Sequence, residues 1–424
     1  MEQRTAEILC IGTEILMGDI VNTNAAVIAK ELAGAGINLY HQTVVGDNPQ
    51  RLKEALDLAF SRADIVITTG GLGPTYDDLT KEIIAQWFDL PLEMDAESLA
   101  GIEDFFKRRG RQMTENNKKQ AMMPKGCTIF ANANGTAPGC AIEGKGKTAI
   151  MMPGPPREMS PMLTNQVMPF LRKDSSVRLV SHNLHFFEIG ESALEDALHD
   201  MMTASTNPTI APYAKTGEVM LRVTAQVKNG EDAEALLQPV IEEIKQAAGQ
   251  YLYGIDVGDL QTALVWELRA KGITIATAES CTGGYVAKRI TDVPGASAAF
   301  VCGLVTYTNQ MKQQILGVSA DTLEQYTAIS AQTAAEMAAG ARRVSGADMA
   351  ISITGNAGPD AADGKEVGEV YIAVDSAWHS QVLQLNVRRR EGDTRELIRY
   401  LAASHALHLA LQTAWKYSGK SIAE

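Results

Sequence analysis

Cysteine is scarce in this 424-residue chain, with five in all, and none forms a Cys-x-x-Cys pair. Cys10, Cys127, Cys140, Cys281 and Cys302 are an odd and scattered set. That excludes a disulfide framework and a zinc knuckle, and it fits reduced thiols. No apolar run reaches the roughly 18 residues that a membrane helix needs. The start, Met1-Glu2-Gln3-Arg4, lacks the apolar core of a secretory signal. A cytoplasmic protein is therefore expected. Positive charge is also in short supply, 38 Lys and Arg against 51 Asp and Glu, a net charge of -13. An acidic surface repels a phosphate backbone, so direct nucleic-acid binding is not expected. A small phosphorylated ligand stays open, because a local Gly-rich loop binds phosphate through backbone N–H groups.

What is present reads as globular and multidomain. Hydrophobic residues make up 45% and charged residues 21%, and the chain is too long for one ordinary core. Ile8 to Ile11 reads as a buried strand, Asn24 to Ala35 as a helix, Asn38 to Val45 as a strand and Asn48 to Arg62 as a helix. Ile65 to Thr69 and Thr148 to Met152 are further strands. This βαβ alternation predicts a parallel sheet covered on both faces. Between about Arg178 and Tyr253 the texture changes to a βαββα order: strand 184–189, helix 191–202, alternation over 218–227, and an amphipathic helix over 232–248. Turn formers at 253–259 mark the next boundary. A helix over Leu260 to Ala270 and a strand over Ile273 to Ala278 open a third α/β pattern, closed by a helix from about Thr394 to Lys416 and a frayed tail from Ser418. The expected fold class is α/β, with two three-layer α/β/α domains (residues 1–172 and 257–424) joined by a small α+β, KH-like domain (173–256).

Four Gly- or Pro-rich loops punctuate the first domain. The strand ending at Thr69 runs into Gly70-Gly71-Leu72-Gly73-Pro74-Thr75-Tyr76-Asp77-Asp78. Glycines at a strand's C-terminal edge let the backbone approach an anion, and carboxylates beside a bound phosphate hold a divalent cation. The bland alternative is a tight turn with Asp78 capping the next helix. The others are 12–19, 134–139 and 153–159. Four such loops on one predicted sheet edge suggest a shared pocket.

In the last domain the strand runs into Glu279-Ser280-Cys281-Thr282-Gly283-Gly284, followed by a helix from Tyr285. A serine there sits beside backbone N–H groups that would stabilise an oxyanion. No histidine accompanies it, so the available base is Lys312, with a pKa lowered by burial next to Ser280. Tyr307 would relay a proton. The plainer alternative makes Ser280 a helix cap, Lys312 a solvated charge and Tyr307 a core aromatic. Nothing near Cys281 marks it as a thiolate. His405 and His408, three apart on the last helix, form a possible metal face but more often a structural pair.

The combination of GTEILMGDIVNTN, GGLGPTYDDLT, Gly46-Asp47 and PGPPREM with ESCTGG, Tyr307/Lys312, Ile329-Ser330 and TGNAGP resembles the CinA, competence/damage-inducible, family over essentially the whole chain. Its first part resembles the molybdopterin-binding domain of molybdenum-cofactor proteins. The resemblance implies two activities in pyridine nucleotide salvage. One is metal-dependent ADP-ribose pyrophosphate cleavage, with Mg, Mn or Co on Asp47 and Asp78 and phosphate on Gly70, Gly71, Gly73 and Thr75. The other is metal-free deamidation of nicotinamide mononucleotide, with Ser280 as nucleophile, Lys312 as its base and Tyr307 assisting ammonia's departure. Thr282, Gly283, Gly284, Ser330, Thr354, Gly355 and the Gly358 turn would surround the nucleotide, and Arg395 would hold its phosphate. A homodimer is also implied. The family pattern is broken at Asp360-Ala361-Ala362-Asp363-Gly364, where glycines are usual, and at Thr394, an extra residue before Arg395. The middle segment lacks the GxxG loop that clamps RNA, and so reads as a connector. Two rivals remain: a pterin-binding protein of cofactor assembly, and a non-enzymatic DNA-uptake or damage accessory.

Overall fold

The computed structural model describes residues 4–173, 177–228, 230–387 and 395–418. Contacts divide the chain into two compact units, residues 1–181 with 224–236, and residues 182–223 with 237–424. The expected motif Glu391-Gly392-Asp393-Thr394 lies outside the described residues. No helix among them is long and apolar enough to cross a membrane.

In the first unit the strands in chain order are β1 (Thr5–Ile11), β2 (Asn38–Val45), β3 (Ile65–Thr69), β4 (Leu92–Met94), β5 (Met122–Pro124), β6 (Thr128–Phe130), β7 (Gly139–Gly144) and β8 (Lys147–Met152). Six of them make one sheet in the order β2-β1-β3-β8-β7-β6, while β4 and β5 form a separate ribbon. The first four are parallel, and β7 and β6 are antiparallel additions. Alternation along the strands sends Ile8, Cys10, Ile65, Ile67, Ile150 and Met152 to one core with helix Thr23–Gly34. Leu9, Ile11, Val66, Ala149 and Met151 face a second core with helix Pro49–Arg62. Two apolar faces, each covered by helices, make the three-layer sandwich.

The chain continues through β9 (Val177–Phe187), helix Glu191–Ala204, β10 (Thr209–Lys215), β11 (Glu218–Lys228), helix Glu234–Ala248 and β12 (Leu252–Ile255). Their sheet order is β10-β11-β9-β12. Strand β9 stops at Phe187, short of the expected Ile189, because Glu188 turns into a left-handed conformation at φ 64°. Strand β12 runs antiparallel to β9, with Leu252 opposite Phe186, so pairing persists into the segment read as a boundary.

The remaining strands are β13 (Ile275–Glu279), β14 (Phe300–Val305), β15 (Met349–Gly355), β16 (Glu369–Ser376) and β17 (Ser380–Asn386). The order is β14-β13-β15-β16-β17, with the first three parallel. Strand β13 starts two residues later than Ile273. Gly272 caps the preceding helix in a left-handed turn, and the Ile273 N–H closes that cap on Leu268. One face packs Ile275, Ile351, Ile353 and Ile372 against helices Leu260–Lys271 and Arg395–Trp415. The other presents Ala276, Ala278 and Ala350, whose small size lets helices approach closely.

On that alanine face, helix Asn309–Leu316 meets helix Ala331–Ser345 at Gly340. A Cβ at Gly340 would lie 2.0 Å from the Leu316 carbonyl oxygen. The contact therefore sets how deep the helix bearing Lys312 sits. Gly340→Ala should destabilise the protein by about 2 kcal/mol or more through overpacking, read as a lowered thermal unfolding midpoint against the wild type.

Candidate functional site

Strands β1, β2, β3 and β8 end on one edge, and their loops enclose a cavity of about 400 Å³. Its wall includes Gly12, Glu14, Asp47, Gly70, Gly71, Gly73, Thr75, Asp77, Asp78, Thr136 and the Pro153–Pro155 turn. Parallel strands carry their crossover loops to one edge, where ligands of open α/β sheets bind.

Gly70 and Gly71 are required by packing as well as by any ligand. At φ 105°, a Cβ on Gly70 would meet the Ile11 carbonyl oxygen at 2.0 Å, and one on Gly71 would meet Thr80 Oγ1 at 2.1 Å. Among the described residues, the N–H groups of Gly71, Leu72 and Gly73 have no protein partner. They are free to donate to an anion. Helix Thr80–Trp87 begins after Leu79, which corrects the reading of Asp78 as its cap. Asp78 instead accepts from the Thr75 N–H at 2.9 Å and from the Thr75 hydroxyl. Asp47 is bound in the same manner, accepting from the Thr13 N–H at 2.8 Å and hydroxyl at 2.9 Å. In each case one carboxylate oxygen is fixed by a threonine. Among the described residues no three His, Cys, Asp or Glu side chains gather as a ready-made metal site.

Several supporting residues carried no sequence signal. Buried Lys81 donates to the Gln120 carbonyl at 2.6 Å, and burial pushes its pKa down. Gln120 reaches the cavity wall and donates to the Leu72 carbonyl at 3.3 Å. Lys119 donates to the carbonyls of Thr75, at 3.0 Å, and of Asp78. Asn24 ties Thr69 Oγ1, at 2.8 Å, to the Gly154 carbonyl, at 2.6 Å. Glu14 and Glu158, inside two of the quoted loops, also line the cavity.

The second site lies where β13 ends. The Ser280 N–H bonds Ile353 O at 2.9 Å, and the Thr306 N–H bonds Glu279 O at 3.0 Å. Both neighbouring strands thus hold the serine's backbone. Lys312, 1% exposed, puts Nζ 3.1 Å from Ser280 Oγ. It also donates to Thr306 O at 3.0 Å and Tyr307 O at 3.3 Å. Burial lowers its pKa, against smaller opposing pulls from Cys281 and then Asp363. Ser280 is not a helix cap, since helix Tyr285–Thr291 starts after Gly284. The helix-end amides expected to be free are taken by Glu279. Its buried carboxylate accepts from Gly284 at 3.0 Å, Val286 at 3.1 Å and Ala287 at 2.8 Å. The N–H groups of Cys281 and Thr282 have no partner among the described residues. Burial pushes the Cys281 thiol up to about 12, so it is no thiolate.

Other expected residues divide. Tyr307 is 58% exposed, and its hydroxyl accepts from Arg395 at 3.1 Å; no hydrogen bond joins it to Ser280 or Lys312. Arg395 also donates to Gly358 O at 2.6 Å. Gly283 and Gly284 adopt φ 59° and 90° in the serine turn. The Thr282 hydroxyl is buried without a partner among the described residues, while its carbonyl accepts from Arg399 at 2.7 Å. Ser330 caps helix Ala331–Ser345 through the Thr333 N–H, and Thr354 Oγ1 donates to Ala328 O at 2.6 Å. Gly355 is pressed against Val370. The last three are therefore engaged within the fold. Asp360 and Asp363 are exposed, on a loop held by Asn356, which donates to Asp360 O at 2.9 Å and Lys365 O at 3.1 Å. His405 and His408 both approach Glu188, at 3.3 and 3.7 Å, and pack on Phe187.

Three family models match the chain. "CinA C-terminal domain" covers residues 258–414, "Probable molybdopterin binding domain" 7–173, and "Damage-inducible protein CinA KH domain" 181–254. A "Putative competence-damage inducible protein" of Clostridium kluyveri is 48% identical over 404 residues, 95% of this chain and 98% of that protein. A "CinA-like protein" of Kosmotoga olearia is 46% identical over 403 residues, 95% of this chain and 97% of its own. The solved structure of the protein CinA, of unknown function, from Thermoplasma acidophilum is 36% identical. It covers 39% of this chain and 96% of its own, with a TM-score of 0.36.

The buried Lys312 has a pH signature. Its folded pKa lies below the ordinary 10.5, so between those values the unfolded chain binds more protons. Stability should then rise with pH through that window. Lys312→Met should flatten the rise, checked by denaturant unfolding of both proteins at stepped alkaline pH.

Proposed function

The chain belongs to the CinA family, and on that premise we propose that its Ser280–Lys312 site hydrolyses the carboxamide of nicotinamide mononucleotide to nicotinate mononucleotide and ammonia. The observation that carries this reading is the buried Lys312 amine 3.1 Å from the Ser280 hydroxyl. When neutral, the amine keeps two N–H groups for the carbonyls of Thr306 and Tyr307 and turns its lone pair to Ser280. Lys312 takes the hydroxyl proton as Ser280 Oγ attacks the carboxamide carbon. The N–H groups of Cys281 and Thr282 receive the oxyanion. Collapse of the tetrahedral adduct breaks the C–N bond, and the proton on Lys312 passes to the departing nitrogen, giving ammonia and a nicotinoyl ester on Ser280. Lys312 then deprotonates a water that attacks the ester, and the released Ser280 recovers a proton. Arg395, beside the Tyr307 hydroxyl, would hold the ribose phosphate.

The first unit carries a molybdopterin-binding-like domain, and its cavity suits cleavage of a nucleotide pyrophosphate such as ADP-ribose. The free amides of Gly71 to Gly73 would take phosphate. Asp47 and Asp78 are hard oxygen donors, each with one oxygen not held by its threonine, and would bind Mg, Mn or Co. With only two carboxylates in that role, the remaining ligands would be phosphate oxygens and water, an arrangement Mg²⁺ favours. Such an ion supplies Lewis-acid polarisation of the phosphoryl oxygens. The match to the molybdopterin-binding model favours a second reading of the same cavity, pterin binding without hydrolysis.

Ammonia release from nicotinamide mononucleotide by the intact protein is the deciding assay. Ser280→Ala and Lys312→Ala should each lower it by about 10³-fold or more, with folding preserved by circular dichroism. Release that survives either substitution, or no release from the wild type, would overturn the assignment. At the other site, ADP-ribose cleavage should need added divalent metal and fall at least about 100-fold in Asp78→Asn. Tight pterin binding with no cleavage would favour the rival.

A further inference from the structure

The N-terminal cavity does not end at its phosphate loop. A second hollow of about 570 Å³ shares Pro74, Thr75 and Asp77 with it and is completed by Tyr76, Asn116 and Lys119. Tyr76 is 90% exposed, and among the described residues nothing stacks on its ring or bonds its hydroxyl. An exposed aromatic alone means little. Its mounting is what distinguishes it. On one side, both the N–H and the hydroxyl of Thr75 bond Asp78. Across the turn, Lys119 Nζ donates to the carbonyls of Thr75 and Asp78, which bracket Tyr76. Lys119 is itself fixed by Glu82 at 3.4 Å and, through its carbonyl, by Lys81 Nζ at 3.4 Å. The ring thus projects from a backbone pinned at both ends, so stacking against it needs no ordering of the loop.

The same hollow holds complementary chemistry. Asn116 accepts from the Thr114 hydroxyl through its side-chain oxygen, while its amide N–H groups have no partner among the described residues. A planar face beside a free amide donor, next to a row of unpaired backbone N–H groups, matches a base joined to phosphates.

We propose that Tyr76 is a stacking platform for the planar base of a nucleoside diphosphate compound, with Asn116 donating to the base edge while the phosphates lie on the adjoining glycine loop. The proposal rests on reading that cavity as a nucleotide pyrophosphate site. It names the substrate's base as a recognised element, so a ribose phosphate lacking a base should bind more weakly.

The test uses the full-length protein and calorimetric titration with AMP and with ribose 5-phosphate. Wild type should favour AMP by about tenfold or more, as expected for one base–aromatic stack. Tyr76→Phe should keep the preference, and Tyr76→Ala should bind the two ligands alike. A wild type without preference, or a Tyr76→Ala protein that retains it, overturns the platform. ADP-ribose hydrolysis by wild type against Asp78→Asn probes the underlying reading separately. Base-selective binding lost in Tyr76→Ala upholds the platform even where hydrolysis is absent.

Discussion

Everything in the C-terminal domain that bears on chemistry depends on one buried amine. Lys312 sits 1% exposed among Thr306 O, Tyr307 O and Ser280 Oγ, and no carboxylate among the described residues is bonded to it. An ammonium in that position has three neutral acceptors and little water, so burial disfavours its charge and its pKa falls. A carboxylate partner would have held the proton in place, and the lysine would have been a structural cation. Two carbonyls instead fix the orientation of the amine without neutralising it. That geometry suits the base role proposed for the lysine, with one hydroxyl in reach.

That arrangement needs two rigid supports. Strand β13 is paired on both sides, to β14 and β15, so Ser280 and Thr306 emerge from adjacent, registered strand ends. The helix that delivers Lys312 is seated by close backbone approach at Gly340. Between them, Glu279 binds three amides of the next helix and so holds the Ser280–Gly284 turn from beneath. Its neighbour can then be a serine that caps nothing. Had the serine hydroxyl been needed at the helix start, it would not have been free to meet the lysine.

Much of this was legible in the sequence, because strand and turn signals are local. Asn38–Val45 and Ile65–Thr69 run between the expected residues, each bounded by Gly or Asp. The approach of Lys312 to Ser280, 32 residues apart, was inferred from chemistry, since no histidine accompanied the serine. What stayed hidden depends on long-range burial. Nothing local marks Lys119 or Gln120 as props of a loop some forty residues away, or Lys81 as the anchor of their segment. Glu279 read as part of a motif, and its role as anchor of the helix amides emerges only from the turn's geometry. Asp78 was misplaced because a helix expected to begin beside it begins instead at Thr80, leaving Thr75 as its partner.

The two α/β domains reach the same outcome by different buried groups. In the first, the amine of Lys81 consumes carbonyls of the 119–120 segment, and the amides of Gly71 to Gly73 are left over. In the second, Lys312 consumes carbonyls and the carboxylate of Glu279 consumes the helix amides, leaving those of Cys281 and Thr282. What remains unpaired at each strand edge is a set of N–H donors. A chain with a net charge of -13 can therefore still present sites that attract negative charge. The overall field is screened over about 8–10 Å at physiological salt, whereas oriented amides act at hydrogen-bond distance. On the proposed reading, local donor geometry rather than net charge suits both clefts to anions: a phosphate held in the ground state in one, and an oxyanion formed during reaction in the other.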